Sequence, residues 1–397
     1  MELRKGYKQT EIGVIPNEWN LNVFGEIVNY IKGYPFKSKD YKADGIRIIR
    51  VSDTTFDSIK KDNCIYVDER RINEFRNWKL EKSDLIFSTV GSKPPMYDSM
   101  VGKAILIKKE FADNLLNQNA VLIRAKDKSE PIQELLLNHF RTKRYLQHIE
   151  GIYRGNANQA SITLVDLFNF KIPLPSTKAE QTAIANALSD ADALISSLEK
   201  LIKKKRNIKQ GAMQELLKPK KGWVVKKLGD FLDYEQPTDY LVRDTEYNDF
   251  NQTPVLTAGK TFILGYTNEE EGIFKKLPVI IFDDFTTTIK YVDFPFKAKS
   301  SAMKMLIPKT ENVNLRFVFE LMLQIKYLPG DHKRHWIGEY RQMEIMVPAS
   351  ENEQNEIATI LSDMGNEITS LEKKLSKSKM LKQGMMQELL TGKIRLV

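Results

Sequence analysis

One cysteine, Cys64, and four histidines are all that the chain holds of the residues that build disulfide frameworks and zinc sites. A lone cysteine excludes a disulfide scaffold and any Cys-based metal cluster. Long apolar runs are also missing, and no stretch approaches the ~20 residues that span a bilayer. Met1-Glu2-Leu3-Arg4-Lys5-Gly6-Tyr7-Lys8 has no apolar core behind its charges, so no secretory signal is expected and the reading is cytoplasmic. Catalytic signatures are as scarce. Neither a Gly-x-Gly-x-x-Gly dinucleotide fingerprint nor a Gly-x-Ser-x-Gly nucleophile elbow occurs. Ala258-Gly259-Lys260-Thr261 ends like a phosphate-binding loop, but Pro254 stands where that loop needs its opening glycine. Lys93-Pro94-Pro95-Met96-Tyr97 brushes against the amino-methyltransferase motif, with a lysine where a hydrogen-bond acceptor is required. Asp283-Asp284 and Lys290 could be arranged into a metal nuclease site, but with 52 acids in the chain a surface loop is the plainer expectation.

What is present is a chain of 397 residues, 42% hydrophobic and 10% aromatic, enough for two or three folded domains. Lys and Arg number 61 against 52 Asp and Glu, a net charge of +9 that favours an anionic partner, nucleic acid first. The chain also repeats itself. Ala179–Leu217 aligns without a gap on Asn352–Leu390, and about half the positions are identical. Upstream, Glu18-Trp19 and Phe24-Gly25-Glu26 answer to Gly222-Trp223 and Leu228-Gly229-Asp230. Pro173-Leu174-Pro175-Ser176 and Val347-Pro348-Ala349-Ser350 precede the two copies. Between these landmarks the halves look unrelated.

The repeated segments lack internal proline and open beside proline and serine, as helices do. Ile184, Leu188, Ala191, Ile195, Leu198 and Ile202 fall at alternating spacings of four and three, as do Ile357, Leu361, Met364, Ile368, Leu371 and Leu375. Such a heptad stripe predicts a coiled-coil seam between two helices of roughly 58 Å each. Because a folded domain intervenes, antiparallel pairing is expected; the alternative is that each helix packs only on its own domain. Gly211 and Gly384 are expected to mark a bend or stop. In the first variable half, Ile46–Val51, Leu85–Val90, Lys103–Ile107 and Ala120–Ile123 read as strands and Pro131–Glu150 as a helix. In the second, Val279–Phe282, Tyr291–Phe294 and Met303–Ile307 read as strands and Leu315–Leu328 as the matching helix. The fold class is therefore α+β: two mixed α/β domains separated by two long antiparallel coiled-coil helices, a pseudo-two-fold internal repeat. The expected boundaries are 1–176, 177–217, 218–350 and 351–397.

Two unlike domains, two near-identical heptad helices ending in Lys-Gln-Gly-x-Met-Gln-Glu-Leu-Leu, and the Pro-Leu-Pro-Ser entry together resemble the DNA-specificity (S) subunit of type I restriction–modification systems. Glu180-Gln181, Ile184-Ala185 and Leu188-Ser189, repeated as Glu353-Gln354, Ile357-Ala358 and Leu361-Ser362, are similar to the conserved-region signature of that family. Leu80–Ile86, with Ser83 in place of the usual glycine, and Asn117-Gln118-Asn119 resemble segments of its target-recognition domains. Thr253–Lys260 and Ser300–Lys304 do so in the second half. The resemblance implies a non-enzymatic subunit that binds no cofactor itself. S-adenosylmethionine, ATP and Mg would sit on partners: two methyltransferase subunits, joined by restriction/translocase subunits in the full complex. Each target-recognition domain would read half of a split double-stranded DNA site, with the helix pair spacing the readers. Alternatives are the specificity subunit of a fused restriction–methylation enzyme, a standalone DNA-modifying enzyme with degenerate motifs, and a scaffold without a DNA role.

Arg, Asn, Gln and Lys present the donors and acceptors that base edges require. The candidate contacts in the first half are Arg154, Asn156, Asn158 and Gln159, with Ser92 and Lys93 from a neighbouring loop and Tyr153 to stack or touch a sugar. In the second they are Lys260, Lys333, Arg334 and His335, with Thr257 and Lys304 in support. The basic run Lys200–Lys209 either lies on spacer phosphates or an acidic partner, or is a solvated helix face.

Overall fold

A computed structural model describes residues 4–127, 130–156, 159–257, 261–325 and 335–396. It contains two compact units, Met1–Ser197 with Lys374–Val397, and Leu198–Lys373.

The first unit is organised by a four-stranded antiparallel sheet in the order Val28–Lys32, Ala120–Ala125, Leu85–Ser88, Ala104–Leu106. Successive residues of a strand point to opposite faces, and here both faces are covered. Leu85, Phe87, Val121 and Ile123 enter one core, and Ile86, Ile105 and Leu122 enter another. That is why these strands read as continuous apolar runs rather than alternations. A smaller sheet places Ile46–Ile49 between Leu115–Leu116, parallel, and Ile65–Val67, antiparallel. The expected single helix over Pro131–Glu150 is two helices, Glu130–His139 and Lys143–Ile152. Thr142 breaks it: its extended backbone starts the second helix, and its hydroxyl accepts a hydrogen bond from Tyr145 N at 3.3 Å.

The second unit has the same plan. Leu232–Glu235, Met303–Pro308, Val279–Asp283 and Ile289–Val292 form the four-stranded antiparallel sheet. Ile280, Phe282 and Leu306 fill one core, and Val279, Ile281, Met303 and Met305 the other. Thr253–Leu256 lies between Lys297–Ala298, parallel, and Ile263–Thr267, antiparallel. The halves that look unrelated in sequence thus share both sheets strand for strand. The strand expected at Tyr291–Phe294 starts two residues earlier, in register with Val279–Asp283. The helix expected to reach Leu328 ends at Met322, after an Asn314 cap on Phe317 N.

The repeated segments form two 39-residue helices, Lys178–Leu216 and Glu351–Leu389. Both run through their glycines, correcting the expected bend at Gly211 and Gly384. A helical glycine costs about 1 kcal/mol, and the turns that follow are held by buried Met213 and Leu217, and by Met386 and Leu389. The helices pair antiparallel within each unit. In the first, Ile184, Ala185 and Leu188 pack with Met386, Leu389 and Leu390, and Lys382 bridges Asp192 at 2.6 Å. In the second, Met213 and Leu217 pack with Ile357, Ala358 and Leu361. Leu198 and Ile202 are buried, and Ile195, Ile368, Leu371 and Leu375 partly so.

Each helix start is clasped. The Glu180 carboxylate, only 1% exposed, accepts from Trp19 Nε1 at 3.1 Å and from Arg395 Nη2 at 2.9 Å. Glu353 accepts from Trp223 Nε1 at 3.3 Å, with Lys220 Nζ at 3.7 Å. The repeated Trp and Glu landmarks are therefore two ends of one contact. No helix among the described residues is long and apolar enough to cross a membrane.

Candidate nucleic-acid interface

In the first unit the polar connection after Ile152 is a β-hairpin rather than a loop. Arg154–Asn156 pairs antiparallel with Gln159–Ser161, which pairs with Val90–Gly91. Glycine is required at two points. Gly155 has φ +102°, and a Cβ at Gly91 would lie 2.2 Å from the Ser99 carbonyl oxygen. Ser92 and Lys93 follow directly on the Val90–Gly91 strand, so the sheet gathers both candidate segments. Arg154, Asn156, Gln159 and Lys93 are exposed. The Arg154 guanidinium meets Asp166 at 3.1 Å, which aims it without burying it. Tyr153 packs half-buried against the core. Ser92 is buried, its hydroxyl 2.9 Å from that of Ser99. Asn158 lies outside the described residues.

Beside the hairpin is a cleft of about 540 Å³ lined by Arg50, Ser52, Thr55, Lys60, Gln118 and Asn119 together with Ser92. None of these except Ser92 was singled out as a contact from the sequence. The Asn117-Gln118-Asn119 turn was a visible signal, but its cleft neighbours come from the turn and loop that follow Ile46–Ile49, some sixty to seventy residues upstream. Asn117 Oδ1 accepts from Gln118 N at 2.7 Å, Asn119 adopts φ +67°, and Thr89 donates to the Asn119 carbonyl through both its amide and its hydroxyl. The amide side chains of Gln118 and Asn119 are thereby presented from a fixed turn. Lys103 forms the buried floor, its ammonium donating to the Thr54 and Asp98 carbonyls; burial lowers its pKa to about 8.

In the second unit Lys260, Lys333 and Arg334 lie outside the described residues, as does most of the Ala258–Thr261 stretch. Thr257 is half-buried. Lys304 and His335 are inside the unit. Lys304 Nζ donates to Gln236 Oε1 at 2.9 Å and pairs with Asp284 at 3.4 Å. His335 opens the short helix His335–Gly338. Asp283 and Asp284, expected on a surface loop, are buried at the end of their strand. Their carboxylates are engaged by Phe285 N, Thr286 Oγ1, Trp336 N and Lys304. Among the described residues no group of three His, Cys, Asp or Glu is placed to hold a metal ion. Within the basic run, Lys205, Arg206 and Lys209 pair with Glu367, Glu372 and Glu320 at 2.7, 2.6 and 3.1 Å, while Lys200, Lys203 and Lys204 are exposed.

The family model of the type I restriction modification DNA specificity domain matches residues 16–210 and again 220–378. The chain belongs to this family. It is a type I restriction–modification specificity subunit with two target-recognition domains, and the two matched stretches are the two copies of its internal repeat. It is similar to the Escherichia coli type I restriction enzyme EcoR124I/EcoR124II specificity subunit, 53% identical over 136 residues. That match covers 33% of this chain and spans only 34% of the relative's length. A putative type I restriction enzyme MjaX specificity subunit from Methanocaldococcus jannaschii is 27% identical over 98% of this chain and 97% of its own. The crystal structure of the type I restriction–modification S subunit from M. genitalium superposes with a TM-score of 0.68 at 16% identity, covering 98% of each chain. That likeness is one of fold: the specificity-subunit architecture is kept where few residues are.

Proposed function

We propose that this specificity subunit binds double-stranded DNA sequence-specifically, each unit reading one half of a bipartite, non-palindromic site. The helix pair sets the spacer between the halves and docks two methyltransferase subunits. The observation that carries this reading is the shared sheet plan with unlike connections. Scaffolds that share a sheet plan and differ in their connections are what two readers of different sequences need. In the first unit Arg154, Asn156 and Gln159 on the hairpin face, with Lys93 and Asn158, read base edges. Gln118 and Asn119 extend the same surface. Ser92 and Tyr153 support them. In the second, Lys260, Lys333 and Arg334 contact DNA, and Thr257 with the buried Lys304 and His335 has a supporting part. The positive excess of the chain falls in the first unit, while acids and bases balance in the second. Most phosphate affinity then comes from the first unit.

The chain works in the cytoplasm and catalyses nothing itself. Methylation belongs to the partners, which hold S-adenosylmethionine, and restriction subunits with ATP and Mg join the full complex. Two experiments test the reading. Purified chain alone, given labelled S-adenosylmethionine and DNA, transfers no methyl group; with its methyltransferase partners it directs methylation to one split site. Methylation by the chain alone, or methylation of a palindrome by the complex, overturns it.

A further inference from the structure

The four-stranded sheets of the two units correspond strand for strand, so their connections can be compared. In the first unit the segment between Leu85–Ser88 and Ala104–Leu106 carries Ser92 and Lys93, in the proposed reading surface. In the second the equivalent segment, between Val279–Asp283 and Ile289–Val292, holds Asp284, Phe285 and the threonines 286–288. Phe285 is 61% exposed. A single exposed apolar side chain is ordinary on a protein surface; what sets this one apart is how it is held. The buried Asp283 carboxylate accepts from Phe285 N at 3.0 Å and Thr286 Oγ1 at 2.7 Å. Asp283 N donates to the Thr288 carbonyl, and Thr287 N, at φ +56°, to that of Asp283, both at 2.9 Å. The neighbouring Asp284 is tied to Trp336 N at 3.0 Å and to Lys304. Beneath the loop, Phe282 stacks edge-on against Trp336 and Tyr340 at 5.5 and 4.9 Å. A phenylalanine is thus presented to solvent from a loop that needs no further ordering, which lowers the entropy lost on binding.

Resting on the DNA-reading function proposed above, we infer that Phe285 is a base-contacting specificity residue of the second unit. It packs on the apolar part of a base, either the thymine methyl in the major groove or the face of a base it partly unstacks. A phenyl ring has no charge for a phosphate and no donor for a carbonyl, so its contribution is to sequence and not to general affinity.

The test uses the complex of the full chain with its methyltransferase partners. The duplexes carry the site mapped from methylated adenines, and each half is scrambled in turn. Phe285→Ala weakens binding to the intact site ten- to hundredfold, the effect of leaving one phenylalanyl side chain unburied. Binding to the duplex scrambled in the second unit's half is unchanged, as is the slope of affinity against salt. Phe285→Leu keeps most of the apolar contact and stays within about threefold of the parent. Exchanging single thymines for deoxyuridine identifies a methyl contact as the position where the parent loses affinity and Phe285→Ala does not. Brightening of 2-aminopurine with the parent alone identifies unstacking. Unaltered affinity of Phe285→Ala for the intact site, with an unaltered melting temperature, overturns the inference. A parent complex that cannot tell the intact from the scrambled duplex overturns DNA reading itself, which is a different result.

Discussion

The spacing role proposed for the helix pair can be tested by lengthening it. Each helix is continuous over 39 residues, and the ion pairs Lys205–Glu367 and Arg206–Glu372 fix the register between them in the second unit. A four-residue insertion in one helix alone slides one heptad stripe past the other, so the turn must be added to both, after Ile202 and after Leu371. Four residues add about 6 Å of helix and a rotation of about 400°, which returns the apolar stripe to within about 40° of its course. B-DNA rises about 3.4 Å per base pair. An added 6 Å along the duplex is then slightly under two base pairs, and less if the helices run inclined to the DNA. The expected outcome is a recognised site with both half-sequences kept and one to two base pairs added between them. Sequencing the methylated adenines of cells that carry the variant with its partner subunits reads this directly. Methylation retained at the parental spacing refutes the ruler, because the helices would then be lengthened without consequence for the site. The insertion in one helix alone serves as the contrast: it disturbs the seam and should lower the melting temperature of the subunit.

Other consequences are open to measurement. Replacing Arg154, Asn156 and Gln159 together with alanine should weaken binding to the intact site at least tenfold, since one good base contact is worth about 1–3 kcal/mol; unaltered gel-shift affinity would exclude the hairpin from the interface. Arg395→Ala leaves the buried Glu180 carboxylate with the Trp19 indole but no cation, at a cost of about 3 kcal/mol; urea unfolding with an unmoved midpoint would contradict this. Burial lowers the pKa of His139 to about 3, and the Arg144 charge adds to the effect. The folded chain keeps His139 neutral while the unfolded chain protonates it near 6.5. Unfolding therefore takes up a proton below pH 6.5, and this group removes about 1.4 kcal/mol of stability per pH unit down to about 3. His139→Gln should accordingly lose less stability than the parent between pH 7 and pH 5, and parallel losses would refute the assignment.

The helices and the entry landmarks were legible because the two copies print the same constraints twice. Trp19 with Glu180, and Trp223 with Glu353, are conspicuous in the sequence as repeats and turn out to be hydrogen-bonded pairs. The kinship of the variable halves was not legible, since a doubly covered strand asks only for apolar residues in succession. Leu85-Ile86-Phe87 and Ile280-Ile281-Phe282 meet that demand, and so do many other sequences. The hairpin at Arg154–Ser161 was hidden for the opposite reason. Its described residues are polar or glycine apart from Ala160, which enters the core, and its pairing with Val90–Gly91 is a contact over some seventy positions that no local pattern announces. Gly211 and Gly384 misled because glycine is a weak breaker where seam packing continues on both sides.

The same division would let one sheet plan carry the two readers proposed above. The groups that hold the connecting segments are buried or backbone: Asp283 and Asp284 in the second unit, Thr89 and the Asn119 carbonyl in the first. The groups that face outward from those segments take no part in the cores. Gln118, Asn156 and Gln159 can therefore change without disturbing Leu85–Ser88, and Phe285 without disturbing Val279–Asp283. Among the described residues, the outward groups on these segments are amides, a guanidinium and the Lys93 ammonium in the first unit, and a phenyl ring beside hydroxyls in the second. Amide and guanidinium groups match the hydrogen-bonding edges of adenine and guanine, and a phenyl ring matches a methyl or a base face. On the reading proposed above, the two units present different groups in different arrangements, so the two halves of the site are expected to differ and the site to be non-palindromic.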